Sequence, residues 1–257
     1  MTDCAGWGVV VTGGTRGIGA GIAQAFLAAG AGVLVCGRTE PDEVPAVAGR
    51  AAVFARADVR DSGQAERLIR TAVDRFGRLD LVISNAGGSP PAAAATASPR
   101  FHAKVIELNL IAPLHVAQAA NAVMQDQPGG GSIIMIGSVS GTRPSPGTAA
   151  YGAAKAGLHN LAATLAVEWA PKVRVNTVIP GPVATGTSAA GAHFGAAAGE
   201  AAVGGTIPMG RMATPDDVAG ACLFLASPAA AYLTGSALLV HGGGERPAFL
   251  AVTNPPV

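Results

Sequence analysis

Trp7-Gly8-Val9-Val10-Val11-Thr12-Gly13-Gly14-Thr15-Arg16-Gly17-Ile18-Gly19 runs from a short apolar stretch straight into a glycine-rich turn. Three consecutive valines favour an extended chain, because branching at Cβ packs well on a pleated surface. Gly13, Gly17 and Gly19 then form a G-x-x-x-G-x-G turn, after which Gly17 to Ala29 reads as a helix. Glycines allow so tight a strand-to-helix turn, and they let backbone N–H groups approach a phosphate at the helix N-terminus. A glycine trio alone is a weak signal; its weight here comes from following a first strand and opening a helix.

The same alternation continues outward from this turn. Strands are expected over Gly32–Cys36, Ala51–Ala55, Leu79–Ser84, Ser132–Ile136, Val173–Val178 and Ser236–Val240. Between them lie helical stretches. Asp61–Phe76 places Ala65, Leu68, Ile69, Ala72, Val73 and Phe76 on one face. Pro99–Met124 is long and carries Pro113, so a kink or displaced carbonyl is expected there. Ala149–Ala170 and Pro215–Ala226 complete the set. Strands alternating with helices argue for a parallel sheet covered on both faces. Right-handed crossovers make it an α/β doubly wound, Rossmann-type sheet of about seven strands, formed by a single domain over residues 1–257. Residues 184–207, rich in Ala, Gly and Thr, read as a substrate lid or a poorly conforming helix. Their place after a strand C-terminus favours the lid. An apolar tail occupies 245–257.

Composition excludes several classes. Net charge is +1 and only 13% of residues are charged, with no Lys/Arg run to follow a phosphate backbone, so nucleic acid is not an expected partner. Mean hydropathy is +0.40, yet no 18-residue apolar run suggests a membrane span. The N-terminal residues lack the basic region of a secretory signal, and a cytoplasmic location is expected. Cys4, Cys36 and Cys222 are scattered, with neither disulfide nor metal spacing. His102, His115 and His159 are read as surface or core residues, and no metal is expected; His193 beside Phe194 falls in the lid and is read as solvated.

The adenosine end of a dinucleotide site can be read from strand two. A site selecting NAD carries an acid about 20 residues beyond the loop. Here that spot reads Cys36-Gly37-Arg38, and Arg16 sits in the loop itself. Two guanidiniums near one ribose suit a 2′-phosphate, to which each donates paired hydrogen bonds. NADP(H) is therefore expected in preference to NAD(H), which stays possible.

From the loop onward the chain resembles the short-chain dehydrogenase/reductase family along nearly its whole length. The matching residues are Thr12-Gly13-x3-Gly17-x-Gly19, Asp58-Val59, Asn85-Ala86-Gly87, Asn109, Ser138, Tyr151-x3-Lys155 and Pro180-Gly181. The resemblance implies cofactor contacts from Gly13, Thr15, Arg16, Gly17, Ile18 and Gly19, then Arg38, Asp58, Val59, Asn85, Ala86 and Gly87. It implies further contacts from Tyr151, Lys155, Pro180, Gly181, Val183 and Thr185. Asp58 would accept from the adenine amino group, Asn85 would steady the central sheet, and Thr185 would meet the carboxamide. Three positions depart from the family pattern. Ser84 stands for a frequent asparagine. Gly137 stands for a common serine, which looks harmless. His241 stands where Val-Asp-Gly-Gly is usual, which puts the hydrogen bonds of that turn in doubt.

Tyr151 and Lys155 lie four apart on one helix, hence on one face. A free tyrosine has a pKa of about 10, and a nearby ammonium favours the phenolate. Tyr151 is the expected acid/base, Lys155 its partner, and Ser138 the donor to the substrate oxygen. Asn109, by resemblance, holds a water linking Lys155 to solvent. The expected reaction moves a hydride between NADP(H) and a ketone or secondary alcohol of modest polarity. Two other readings are open. An acyl-carrier-protein 3-oxoacyl reductase would want basic residues near the strand holding Ser138; Gln125–Gly131 carries no positive charge, and Lys172 remains. A catalytically silent dinucleotide-binding regulator would lack Tyr or Lys, and both are present. A homotetramer is expected, paired through the two long helices and through Pro215–Val240.

Overall fold

A computed structural model describes residues 3–186 and 197–247. The strands are β1 (Gly8–Thr12), β2 (Gly32–Gly37), β3 (Ala46–Val47), β4 (Arg50–Ala51), β5 (Val53–Arg56), β6 (Leu81–Ser84), β7 (Gly131–Ile136), β8 (Val173–Pro180) and β9 (Ala237–Val240). Seven of them form one sheet in the order β5-β2-β1-β6-β7-β8-β9, parallel at every pairing. The helices are α1 (Gly17–Ala28), α2 (Ser62–Phe76), α3 (Pro99–Ile106), α4 (Ala112–Asp126), α5 (Ala149–Trp169), α6 (Ala197–Thr206) and α7 (Pro215–Ala226). The doubly wound α/β fold expected from the sequence is the fold observed.

The valine run of β1 is buried at every position, as a strand covered on both faces must be. Its side chains divide by alternation. Val10 joins Leu34, Val82, Ile133 and Val175 in the core beneath α2, α4 and α5. Val9 and Val11 join Val33, Val35, Ile83 and Ile134 in the core beneath α1 and α7. Helix α2 buries Ala65, Leu68, Ile69 and Ala72; the Asp61 side chain caps it by accepting from the Gln64 amide at 2.9 Å, and Gly77 closes it.

One expectation needs correction. Residues 51–55 are not one strand. Val47, Ala48, Gly49 and Arg50 make a tight hairpin turn, with φ +48° at Ala48 and +77° at Gly49. This pulls Arg50 and Ala51 into a small antiparallel pair and delays the main-sheet strand to Val53. Primed hairpin turns require just such left-handed residues. The displacement expected ahead of Pro113 is present: a π-helical segment, Glu107–Ile111, interrupts the long helix 99–124. Pro113 cannot donate a helical N–H and crowds the carbonyl four residues back, that of Asn109. The wider turn accommodates it, with the Ala112 amide bonding Glu107 O.

Of the expected lid, residues 187–196 lie outside the description, His193 and Phe194 among them; the rest contains α6. The apolar tail from 248 onward, with Phe249 and Leu250, also lies outside it.

Candidate active site

The C-terminal ends of the parallel strands open onto a cleft of about 1370 Å³. The glycine loop forms its floor. Gly13 has φ +62° and Gly17 φ +54°. At Gly19 a Cβ would stand 2.3 Å from Gly13 O and 2.5 Å from Asn85 Nδ2, so no other residue fits. Asn85 fills that space by donating to Thr12 O at 2.9 Å and Gly13 O at 3.1 Å. The hydroxyl of Thr12 accepts from the amides of Asn85 and Ala86, each at 3.0 Å. Thr12 thus ties the end of β1 to the end of β6 and fixes the loop; its position at the strand end is the sequence signal for this role.

Thr15, Arg16, Gly17 and Ile18 line the cleft beside Gly13 and Gly19. Arg38 lines it from the end of β2, with Thr39, Glu40 and Asp42 following in the same loop. Arg16 and Arg38 are both exposed. Asp58 and Val59 line it from beyond β5. Asp58 is bound by a residue that sequence reading passed over. Arg60 Nε donates to Asp58 Oδ1 at 2.9 Å and to Oδ2 at 3.2 Å, and Nη2 donates to Oδ2 at 2.5 Å. The guanidinium holds the Asp58 carboxyl below its ordinary range. Any further donor to that carboxylate shares its oxygens with Arg60. Cys36 also lines the cleft, but burial pushes its thiol up to about 11, so it is no nucleophile near neutrality.

Ser138, Tyr151 and Lys155 meet on the opposite wall. Ser138 ends β7 and caps the short 3-10 turn Val139–Gly141; its Oγ accepts from the Ser140 amide at 3.1 Å. Tyr151 is the third residue of α5, and Ser138 stands close enough to its hydroxyl to favour the phenolate. Lys155 is buried one helical turn on, with Nζ 5.7 Å from the Tyr151 ring centroid. The ammonium donates to Ile136 O at 2.7 Å. Burial lowers Lys155 to about 8. Burial also raises Tyr151, opposed by the nearby Ser138 hydroxyl. Desolvation penalises both charged forms, the phenolate and the ammonium.

Asn109 does not line the cleft. It is fully buried in the π-helical segment, with Nδ2 donating to Gly88 O and Val105 O at 2.9 Å and Oδ1 accepting from the Gly88 amide at 2.8 Å. A Cβ on Gly87 would stand 2.7 Å from Asn109 Oδ1 and 3.4 Å from Lys155 Nζ. Asn109 and Lys155 thus lie on either side of a glycine that must stay bare. Pro180, Gly181, Val183 and Thr185 line the cleft from beyond β8. His241 packs against Gly181, where a Cβ would meet His241 Cβ at 2.9 Å. Main-chain bonds hold the turn in doubt: Gly244 N to His241 O and Met209 N to Gly242 O. Gly137 is not the harmless exchange expected. A Cβ there would stand 2.4 Å from His159 Nε2.

Comparison with known proteins follows the same lines. Residues 13–245 match the family model described as enoyl-(acyl carrier protein) reductase. The chain is 39% identical over 243 residues to an uncharacterized oxidoreductase of Mycobacterium tuberculosis, covering 91% of this chain and 90% of that protein. It is 34% identical over 243 residues to a probable 2,4-dienoyl-CoA reductase of Bacillus subtilis, covering 91% and 95%. Among solved structures it superimposes on ligand-free aldohexose dehydrogenase of Thermoplasma acidophilum, with a TM-score of 0.87 and 27% identity, over 100% of this chain and 98% of that one.

Proposed function

The chain belongs to the short-chain dehydrogenase/reductase family, and from that premise we propose that it reduces a ketone of modest polarity, or oxidises the matching secondary alcohol, with NADP(H) as the preferred cofactor. The observation that carries this reading is the meeting of a Ser138–Tyr151 hydroxyl pair with the buried Lys155 on one wall of a cleft floored by a glycine loop.

The loop fits a dinucleotide. Its bare glycines leave room for a pyrophosphate against the backbone at the start of α1, and the bare Gly87 opens the cleft in front of Lys155. Gly13, Gly17 and Gly19 would cradle the phosphates, with Thr15 and Ile18 beside them. Arg16 and Arg38 would take the 2′-phosphate; neither is committed to an ion pair among the described residues, and no acid stands at Gly37. Asp58 and Val59 would meet the adenine, with Arg60 orienting the carboxylate. Asn85, Ala86, Gly87, Pro180, Gly181, Val183 and Thr185 would line the path to the nicotinamide end. The bound cofactor supplies or takes the hydride.

The chain's own part is the proton. Tyr151, protonated near neutrality as an ordinary phenol is, donates its phenolic proton to the carbonyl oxygen during reduction. Ser138 Oγ, accepting from the Ser140 amide, is oriented to donate its own hydrogen to that oxygen and stabilise the developing charge. Lys155 stands beside the phenol, positioned through Ile136 O, and would offer its remaining N–H donors to the ribose of a bound cofactor. Asn109, behind Gly87, fixes the backbone at Gly88 and borders Lys155. In the reverse direction Tyr151, as the phenolate, takes the alcohol proton.

A cytoplasmic setting belongs to the same reading, supported by three cysteines that are all free and buried. At the approach to β7 the acyl-carrier reading finds one basic residue, Lys172, whose Nζ donates to Gln127 O at 2.9 Å. The test is NADPH consumption across a panel of ketones, repeated with NADH. Turnover that depends on Tyr151 supports the reading; no turnover of any ketone or alcohol refutes it.

A further inference from the structure

The reaction end of the cleft is fenced by an ion pair that the catalytic chemistry does not use. Arg143 lies in the loop between Ser138 and Tyr151, and Glu245 lies beyond β9; both line the cleft. Arg143 Nη2 donates to Glu245 Oε1, and Nη1 donates to Pro144 O at 2.9 Å. Apart from Lys155, the other charged lining residues among those described come from the loops after β1, β2 and β5, at the adenosine end. The pair therefore sets the charge that an arriving substrate meets.

Several main-chain features hold Glu245 there. Gly242 and Gly243 turn the chain after β9 with φ +63° and +93°, and pack on Ile207 and Pro208 so closely that a Cβ would stand 2.8 and 2.9 Å away. The Arg246 amide then donates to Thr206 O at 3.0 Å, joining the segment to the end of α6. Thr206 lines the cleft as well. Two loops 102 residues apart in sequence are thus closed across the mouth by opposite charges.

Both side chains are partly exposed, 39% and 41%, and pairs of that kind contribute at most about 1 kcal/mol to stability. Their consequence lies in selectivity, which often rests on what a site repels.

We infer that Arg143 and Glu245 are specificity-determining residues that close the mouth of the cleft with a neutral pair and select an uncharged carbonyl substrate over an anionic one. A substrate carboxylate entering here must displace Glu245 from the guanidinium while standing beside the Glu245 charge. A neutral ketone or ester meets no such competition. The remaining side chains of this wall agree: Ser140 and Ser145 bond to each other at 3.1 Å, and Thr148 donates to Ser145 Oγ at 2.7 Å, a neutral hydroxyl chain. The inference rests on the carbonyl-reductase reading above.

The test compares a neutral ketone with its carboxylate counterpart. Ethyl acetoacetate against acetoacetate is tried first, then the best neutral ketone of the panel against its acid. The quantity is the ratio of kcat/KM, neutral over anionic. The expected ratio in the parent exceeds about tenfold, the size of an effect near 1.4 kcal/mol. Glu245→Gln, which leaves Arg143 unpaired, lowers the ratio by about tenfold; Arg143→Gln, which leaves Glu245 unpaired, raises it. Opposite movements from the two partners are a signature that mere loosening of the loop does not produce. A parent that prefers acetoacetate overturns the inference and makes Arg143 an anion anchor. Ratios that stay together in all three proteins overturn it as well. Failure of every ketone and alcohol in the panel is a different result, since it removes the reductase reading itself.

Discussion

Tyr151 is a phenol whose burial disfavours the phenolate, and its protonated form suits a proton donor for reduction. Tyr151→Phe removes the proton and keeps the ring. The expected loss in kcat is about 10²- to 10⁴-fold, the usual contribution of a positioned acid, while NADPH binding followed by nicotinamide fluorescence persists. Turnover within tenfold of the parent would remove Tyr151 from the mechanism. At the other end of the cleft lies Arg38, proposed to take a 2′-phosphate. Charge-assisted hydrogen bonds are worth about 1.5–3 kcal/mol, so Arg38→Ala should raise KM for NADPH by roughly 10- to 100-fold and leave KM for NADH nearly unchanged. Equal effects on the two cofactors would make Arg38 a surface charge. Arg60 shows where residue-by-residue reading of a sequence stops: its contact with Asp58 is local, two residues apart, yet nothing in the spacing says that the guanidinium folds back on the carboxylate.

The placement of Ser138 against Tyr151 is a matter between elements, strand β7 and helix α5. The turn after Ser138 sits directly on the helix: a Cβ on Gly141 would stand 2.7 Å from Ala156 N, and one on Gly152 would stand 2.8 Å from Ser140 O. His159, one turn beyond Lys155 on the same helix face, occupies the space left by Gly137. Its Nε2 is buried with no hydrogen-bond partner, and burial followed by the Lys155 charge lowers its pKa. Restoring the serine common in the family should therefore harm this chain. Gly137→Ser is expected to cost about 1–3 kcal/mol in stability, the usual penalty of overpacking, and to depress kcat by moving Ser138. His159→Ala should relieve it. The double variant should recover most of the lost thermal stability, a coupling visible in a double-mutant cycle. A stable Gly137→Ser protein with parental kcat would refute the steric account.

At the scale of the whole molecule, two surfaces stand out. Ile106 and Ile111 are exposed on the long helical segment, and Val167 is 82% exposed on α5. Elsewhere Tyr232 is fully exposed and Leu239 half exposed, with β9 forming one edge of the sheet. Apolar groups and strand edges left open to water commonly mark contacts between copies, and closed dihedral symmetry satisfies two such surfaces at once. The expected mass by light scattering is that of four chains of 25.2 kDa. Val167→Asp and Leu239→Asp should each reduce it to a dimer, through opposite surfaces. A monomeric parent would refute the assembly.

Much of this protein was legible from its sequence because the relevant physics is local. The valine run, the glycine turn and the alternation of strands with amphipathic helices fix a doubly wound sheet, and every cleft residue expected from the glycine loop, β2, β6 and β8 does line one cleft. Tyr151 and Lys155 share a face because helical periodicity alone requires it. Tertiary structure decided the rest, for reasons of distance along the chain and of excluded volume. The hairpin at Ala48-Gly49 and the π-helical turn ahead of Pro113 depend on backbone geometry that several residues settle jointly. Asn109 lies behind the cleft because that turn carries it there. Gly137 lacks room for a side chain because His159, 22 residues later, fills that space. Arg143 meets Glu245 only because the last strand returns the chain to the mouth of the cleft. Desolvation, which raises Tyr151 and lowers Lys155, likewise belongs to the packed molecule, since burial is a property of the fold and not of either residue.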